Sequence, residues 1–180
     1  MPDNQLELIK KAKKGDKNAF GDIYRLFLTK IYRFVFYLVS DKDLAEDITQ
    51  DTFVRAWKYL PNFSQERGTI QAYLFAIARN LVIDTKRKKK EFPLYDSYAL
   101  KLEAKENSES KLITEDTKDV VQDALSKLEY DEKEVVILRY FEDLSYTEIA
   151  KVLKKEEGLL RVKVHRALKK LREHLKGYGI

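Results

Sequence analysis

Between Ala72 and Lys90 the chain carries Arg79, Asn80, Asp84 and Arg87, and it runs out into Lys86-Arg87-Lys88-Lys89-Lys90. Guanidinium and ammonium groups at this density pair with phosphates. Just upstream stand Trp57, Tyr59, Phe63 and Tyr73. Rings beside a basic groove supply the stacking faces that single-stranded nucleic acid needs. A second basic set lies near the other end: Arg161, Lys163, Arg166 and Lys170, flanked by Lys169 and Arg172 and interleaved with Leu159 and Val162. In a major groove, Lys and Arg reach guanine O6 and N7, whereas Leu and Val have apolar contact to offer thymine methyls. The chemistry expected of both sets is recognition of a polyanion.

Bond-making chemistry finds little support. His165 and His174 lie nine residues apart in the basic segment, without the carboxylate spacing of a metal site or a triad, and both are expected at the surface. There is no Gly-rich phosphate loop and no HExxH. Cysteine is absent, which excludes disulfides, thiolate zinc sites and thiol nucleophiles. No catalytic residue, metal ligand or cofactor is expected.

Helices must position these groups. Leu74, Ile77, Ala78 and Leu81 recur at i, i+3, i+4 and i+7, so the first basic stretch is an amphipathic helix with its charges on the free side. Before it, Leu6 to Lys14 predicts a short helix stopped at Gly15-Asp16. Ala19 to Leu38 predicts a long one, with Phe20, Ile23, Tyr24, Phe27, Ile31 and Phe34 inward. Ser40 with Asp43 predicts a capping box for a third helix, ending at Tyr59 before Pro61-Asn62. Phe63 to Thr69 is a polar loop. Residues 91–117 lose the pattern, which predicts a mobile acidic linker with a short helix around Tyr98 to Glu106. From Lys118, Val121, Leu125 and Leu128 form a stripe. Asp131 with Glu134 and Ser145 with Glu148 predict two further capping boxes. Gly158 precedes the last helix, whose inward side is Leu160, Val164, Ala167, Leu168 and Leu171. A short helix, a turn and a basic helix make a helix-turn-helix.

Composition agrees. In 180 residues, 44% hydrophobic and 36% charged, six Gly and three Pro leave room for amphipathic helices and little for turn-rich sheet. The fold class expected is all-α, with two small helical domains, 1–90 and 118–180, joined by a flexible acidic linker. The net charge of +5 is blocked: +2 over residues 1–78, +5 over 79–90, −7 over 91–134, −2 over 135–150 and +7 over 151–180. Two basic blocks suggest two contacts with nucleic acid, and the acidic middle would avoid phosphates or imitate them. The longest apolar run, Phe34 to Val39, is too short to span a bilayer, and Met1 to Gly15 has no secretory core, so a cytoplasmic location without membrane insertion is expected.

Three motifs in order carry a family resemblance. Asp47-Ile48-Thr49-Gln50-Asp51-Thr52-Phe53-Val54-Arg55-Ala56-Trp57 resembles the core-binding helix of bacterial RNA polymerase sigma factors. Tyr73-Leu74 through Ile77-Ala78-Arg79-Asn80, with Asp84 and Arg87, resembles their promoter-melting helix. Leu138 to Tyr146, Glu148-Ile149-Ala150, Gly158 and His165-Arg166-Ala167 resemble their last domain. Nothing corresponds to the extra middle domain of larger members, so the chain is similar to the small extracytoplasmic-function (ECF) subgroup of the sigma-70 family.

The resemblance implies partners and roles. Asp47, Gln50, Asp51, Phe53, Arg55 and Trp57 would bind the clamp of the polymerase largest subunit, and the last domain would meet the flap. Phe63, Tyr73, Arg79, Asn80, Asp84, Arg87 and Lys88 would hold the minus-ten element and its melted non-template strand. Leu159, Arg161, Val162, Lys163, Arg166 and Lys170 would read the minus-thirty-five element in duplex promoter DNA. An anti-sigma factor is implied as a further partner. The chain departs from the family at Tyr73, where Trp is usual, and at Leu159 and Val162, where small hydroxyl residues are usual. It departs again at Lys154-Lys155, where Gly and an apolar residue are common. Two other readings stand beside this one: a stand-alone helix-turn-helix regulator with an N-terminal interaction domain, and an enzyme acting on nucleic acid. Dependence of promoter binding on core polymerase separates the first from a sigma factor, and nuclease or ligase activity would mark the second.

Overall fold

In the computed structural model of the chain, which describes residues 3–91 and 115–176, Asp16 starts the first long helix. Its carboxylate accepts the amides of Asn18 and Ala19 at 2.9 and 3.1 Å, satisfying donors that have no partner inside the helix. This separates α1 (Asp3–Lys13) from α2 (Lys17–Val39), with Gly15 at φ +92° making the turn. Between α2 and α3 (Lys42–Tyr59) the cap falls one residue later than the Ser40/Asp43 pattern suggests. Ser40 is consumed by the left-handed turn that closes α2, its N–H donating to the Phe36 carbonyl at 2.8 Å, so Asp41 caps α3 through the Leu44 amide. Pro61 sits in a 3₁₀ turn, Leu60–Asn62, and a second, Gln65–Arg67, lies within the loop before α4 (Ile70–Glu91). The 3.6-residue stripes of these helices meet in one core. Ile23, Phe27, Ile31 and Phe34 of α2 pack against Ile48 and Phe53 of α3 and Leu74, Phe75 and Ala78 of α4, with the Phe34 and Phe75 rings edge to face at 5.1 Å.

The second half comprises α5 (Glu115–Ser126), α6 (Tyr130–Val136), a π turn at Ile137–Phe141, α7 (Tyr146–Leu153) and α8 (Glu157–Leu175). Among the described residues there is no strand. The Ser145/Glu148 capping box forms as its spacing predicts. That at Asp131/Glu134 does not: the box is Glu129/Glu132, the Glu129 N–H donating to Glu132 at 3.1 Å, and Asp131 and Glu134 have distant partners instead. Lys154 adopts φ +54° to end α7, the left-handed conformation that Gly adopts most easily. Leu160, Val164 and Ala167 of α8 are buried, whereas Leu168 is 37% exposed and lies off the inward face.

The expected linker begins and ends in helix, α4 reaching Glu91 and α5 starting at Glu115. The remainder, with the helix expected at Tyr98 to Glu106, lies outside the described residues. The two halves pack directly, α7 on α4 and the π turn on α2, with Tyr37 and Phe141 edge to face at 5.3 Å across the junction. No helix among the described residues is long and apolar enough to cross a membrane, and no group of acidic or His side chains there could hold a metal.

Candidate nucleic-acid interface

α3 buries Ala45, Ile48, Thr49, Thr52, Phe53 and Ala56, and the same periodicity leaves Asp47, Gln50, Asp51 and Arg55 exposed on the opposite face. Val54, 66% exposed, stands in the middle of that polar stripe. Helical periodicity places this apolar side chain on the same face, although the expected polymerase-binding set leaves it out. Phe53 does not belong to the stripe. It is 3% exposed and packs against Tyr24 at 4.7 Å, so it orients the helix and cannot touch a partner. Trp57 is half-buried, its ring 4.9 Å from that of Phe20.

The loop after α3 and the start of α4 enclose a pocket of about 200 Å³, bordered by Asn62, Phe63, Arg67, Thr69, Tyr73 and Lys151. Phe63 and Tyr73 meet with ring centroids 5.1 Å apart and planes tilted by 51°. The Tyr73 hydroxyl donates to the Ala56 carbonyl at 3.4 Å, and burial pushes its pKa up, so the phenol is neutral. Lys13 of α1 donates to the Phe63 carbonyl at 2.6 Å, holding the loop from behind. Gly68 takes φ +148°, a conformation that side chains rarely adopt. Asn62, Arg67 and Lys151 were not singled out from the sequence. Lys151 had no signal to find, because it reaches the pocket from the other half of the chain.

Along α4, Asn80, Arg87 and Lys88 are exposed, and Asp84 is half-buried with Arg87 3.6 Å away. Arg79 is not free. Its guanidinium grips both carboxylate oxygens of Glu134, at 2.8 and 3.2 Å, and Glu134 is fully buried. Burial raises the proton affinity of that carboxyl, and Arg79 opposes the rise.

On α8, Leu159, Arg161, Val162 and Arg166 are exposed as the helical wheel predicts. Lys163 and Lys170 are diverted. Lys163 donates to Asp131 at 3.1 Å and Lys170 to Glu132 at 2.8 Å. Their places on the outer face are taken by His165 and Lys169, both exposed. His174, expected at the surface, is instead half-buried with its ring nitrogen 2.8 Å from Asp123. The geometry thus offers a polar stripe on α3, an aromatic pocket beside a basic helix, and a mixed basic and apolar face on α8.

The same two halves match two family models, Sigma-70 region 2 over residues 23–92 and Sigma-70 region 4 over 118–171. The chain is 30% identical over 178 residues to the ECF RNA polymerase sigma factor SigW of Bacillus subtilis (strain 168), covering 93% of this chain and 95% of that one. The chain belongs to the ECF RNA polymerase sigma factors. It is also 33% identical over 169 residues to BldN of Streptomyces coelicolor, with 92% of this chain matched and 64% of the length of BldN spanned. Among solved structures, the sigma factor RpoE in complex with the anti-sigma factor NepR, from Bartonella quintana, superposes with a TM-score of 0.73 at 30% identity. The match covers 87% of this chain and 96% of RpoE. This sigma factor therefore serves transcription initiation, and its two matched regions coincide with the two packed halves of the fold.

Proposed function

We propose that this sigma factor binds core RNA polymerase through the exposed stripe of α3 and directs promoter recognition and melting at a signal-regulated set of genes. Asp47, Gln50, Asp51, Val54 and Arg55 meet the clamp. The pocket bordered by Phe63 and Tyr73 receives a base extruded from the minus-ten element, while Asn80, Arg87 and Lys88 follow the melted non-template strand. Extruding a base costs a few kcal/mol, which stacking must offset. α8 reads the upstream element through Leu159, Arg161, Val162 and Arg166, and Lys163 and Lys170 take part only by leaving Asp131 and Glu132.

The observation carrying this reading is the pocket, which joins two rings to polar loop groups at the start of a basic helix. An anti-sigma partner extends to this chain from the RpoE–NepR complex. The regulator reading is not favoured, since both polymerase-family regions are matched. Run-off transcription with core polymerase on a promoter library tests the proposal. Enrichment of one two-part promoter is expected, and equal enrichment when core polymerase is omitted from a binding selection would overturn it.

A further inference from the structure

The cations of α8 are not treated alike by their surroundings. Lys163 and Lys170 are drawn to the carboxylates at the start of α6, whereas Arg161 is held and left open, its side chain 61% exposed. Its guanidinium carbon stands 4.3 Å from the centre of the Tyr146 ring. That ring is fixed from its own side. The Ser145/Glu148 capping box sets the start of α7, so Tyr146 is its first residue, and Arg139 stands over the same ring at 5.3 Å. Arg139 is itself anchored, donating to the Leu144 carbonyl at 2.9 Å. A second hold comes through Glu157, the first residue of α8. One of its oxygens accepts from the Thr147 hydroxyl at 2.7 Å, and the other lies 3.6 Å from Arg161. Two neighbouring residues of α7 thus reach the same arginine, one by its ring and one through a carboxylate.

From this geometry we infer that Tyr146 and Glu157 are positioning residues for upstream promoter recognition: they hold the Arg161 guanidinium in place on the outer face of α8 before DNA arrives. The inference rests on the reading of α8 as the helix that meets the upstream element. An arginine loses rotamer freedom when it fixes on a base edge, and one already fixed loses less. Prior placement therefore appears as affinity and as discrimination between bases. A guanidinium suits this hold, because its flat, weakly hydrated face stacks on a ring while the N–H groups at its edge stay able to donate. The ring alone would let the guanidinium slide over its face, and the Glu157 carboxylate, one turn away on the same helix, limits that freedom. Tyr146 acts through Arg161 and need not touch DNA itself.

The test uses holoenzyme assembled from the full chain and core polymerase, selected on a duplex promoter library randomised in the upstream element. The quantity read is the base preference at each position, a ratio in which uniform changes of affinity or of folded fraction cancel. Arg161→Ala identifies the positions that depend on this arginine, and Arg166→Ala those that depend on its neighbour. Tyr146→Leu is expected to lower preference about two- to ten-fold at the Arg161 positions only, the loss that follows when one side chain must be fixed on binding. Tyr146→Phe, which keeps a ring, is expected to retain it. Glu157→Gln is expected to give a smaller loss at the same positions, and it carries the test should Tyr146→Leu fail to assemble. Neither substitution should add to the effect of Arg161→Ala in a double variant. Preference at the Arg161 positions that survives both substitutions, or losses that fall equally on the Arg166 positions, overturns the inference alone. Arg161→Ala with every preference intact overturns the assignment of Arg161 as a reader of bases and the inference with it.

Discussion

Lys155, in the turn of the helix-turn-helix, forms an ion pair with Asp131 in the first turn of α6. This chain ties the turn to its scaffold by charge, and Lys163 of α8 joins the same carboxylate. The hydrogen bond from Lys155 holds the Asp131 carboxyl below its ordinary pKa of 3.8, with Lys163 adding to the effect. A carboxyl with a depressed folded pKa stabilises the fold above its unfolded pKa, and that contribution is lost as pH falls through the folded value. Asp131→Asn should lower the urea midpoint of the second half at neutral pH and flatten its decline below about pH 4. A decline as steep as in the wild type would place the acid sensitivity elsewhere.

Lys154 holds φ +54° at the end of α7. Left-handed backbone costs an L-residue about 1–2 kcal/mol, partly offset by the entropy that glycine adds to the unfolded chain. Lys154→Gly should therefore stabilise the second half by up to about 1 kcal/mol, read as a higher thermal midpoint. A lower midpoint would mean that Lys154 makes contacts outweighing the strain.

The α3 stripe gives a prediction in which binding and stability separate. Asp51→Lys with Arg55→Glu should abolish retention on core polymerase while changing stability by no more than about 0.5 kcal/mol, since both side chains are exposed. Phe53→Ala should do the reverse in kind, costing about 3–5 kcal/mol of stability through the cavity it leaves. Core affinity that survives the charge reversal would remove α3 from the interface.

Tyr73 is half-buried, its ring shared between the pocket and the core. Tyr73→Ala should impair open-complex formation on duplex promoters more than on templates carrying a bubble, because the bubble has already met the unpairing cost. Equal defects on both would make the ring a core residue only.

Leu159 and Val162 are 49% and 47% exposed on the outer face of α8, beside Arg166. Replacing each upstream thymine by uracil removes one methyl and should cost on the order of 1 kcal/mol at one position. That loss should shrink in Val162→Ser or Leu159→Thr. Tolerance of uracil everywhere would leave readout to the arginines.

Much of this architecture follows from periodicity. The inward sets of α2 and α4 and the Ser145/Glu148 box are local, set by spacings of three and four residues, and they form as expected. What local spacing cannot show is a partner far along the chain. Glu134 stands where a capping box would use it, yet its partner is Arg79, 55 residues away. Lys163 and Lys170 sit correctly on the α8 wheel, but the acidic start of α6 takes them. Phe53 shows the converse. A motif that resembles a binding helix includes the residues that pack it as well as those that touch.

The bond from Lys13 to the Phe63 carbonyl makes α1 a buttress for the pocket wall. The region 2 match begins at residue 23, so this support comes from outside the segment that the family model covers. Ile9 and Ala12 are buried and seat α1 against its neighbours, which leaves Lys13 little freedom to retreat. Substitutions in this leading segment can thus reshape the pocket from behind, and grafting the family-matched segment alone onto another sigma factor would transplant the pocket without its brace.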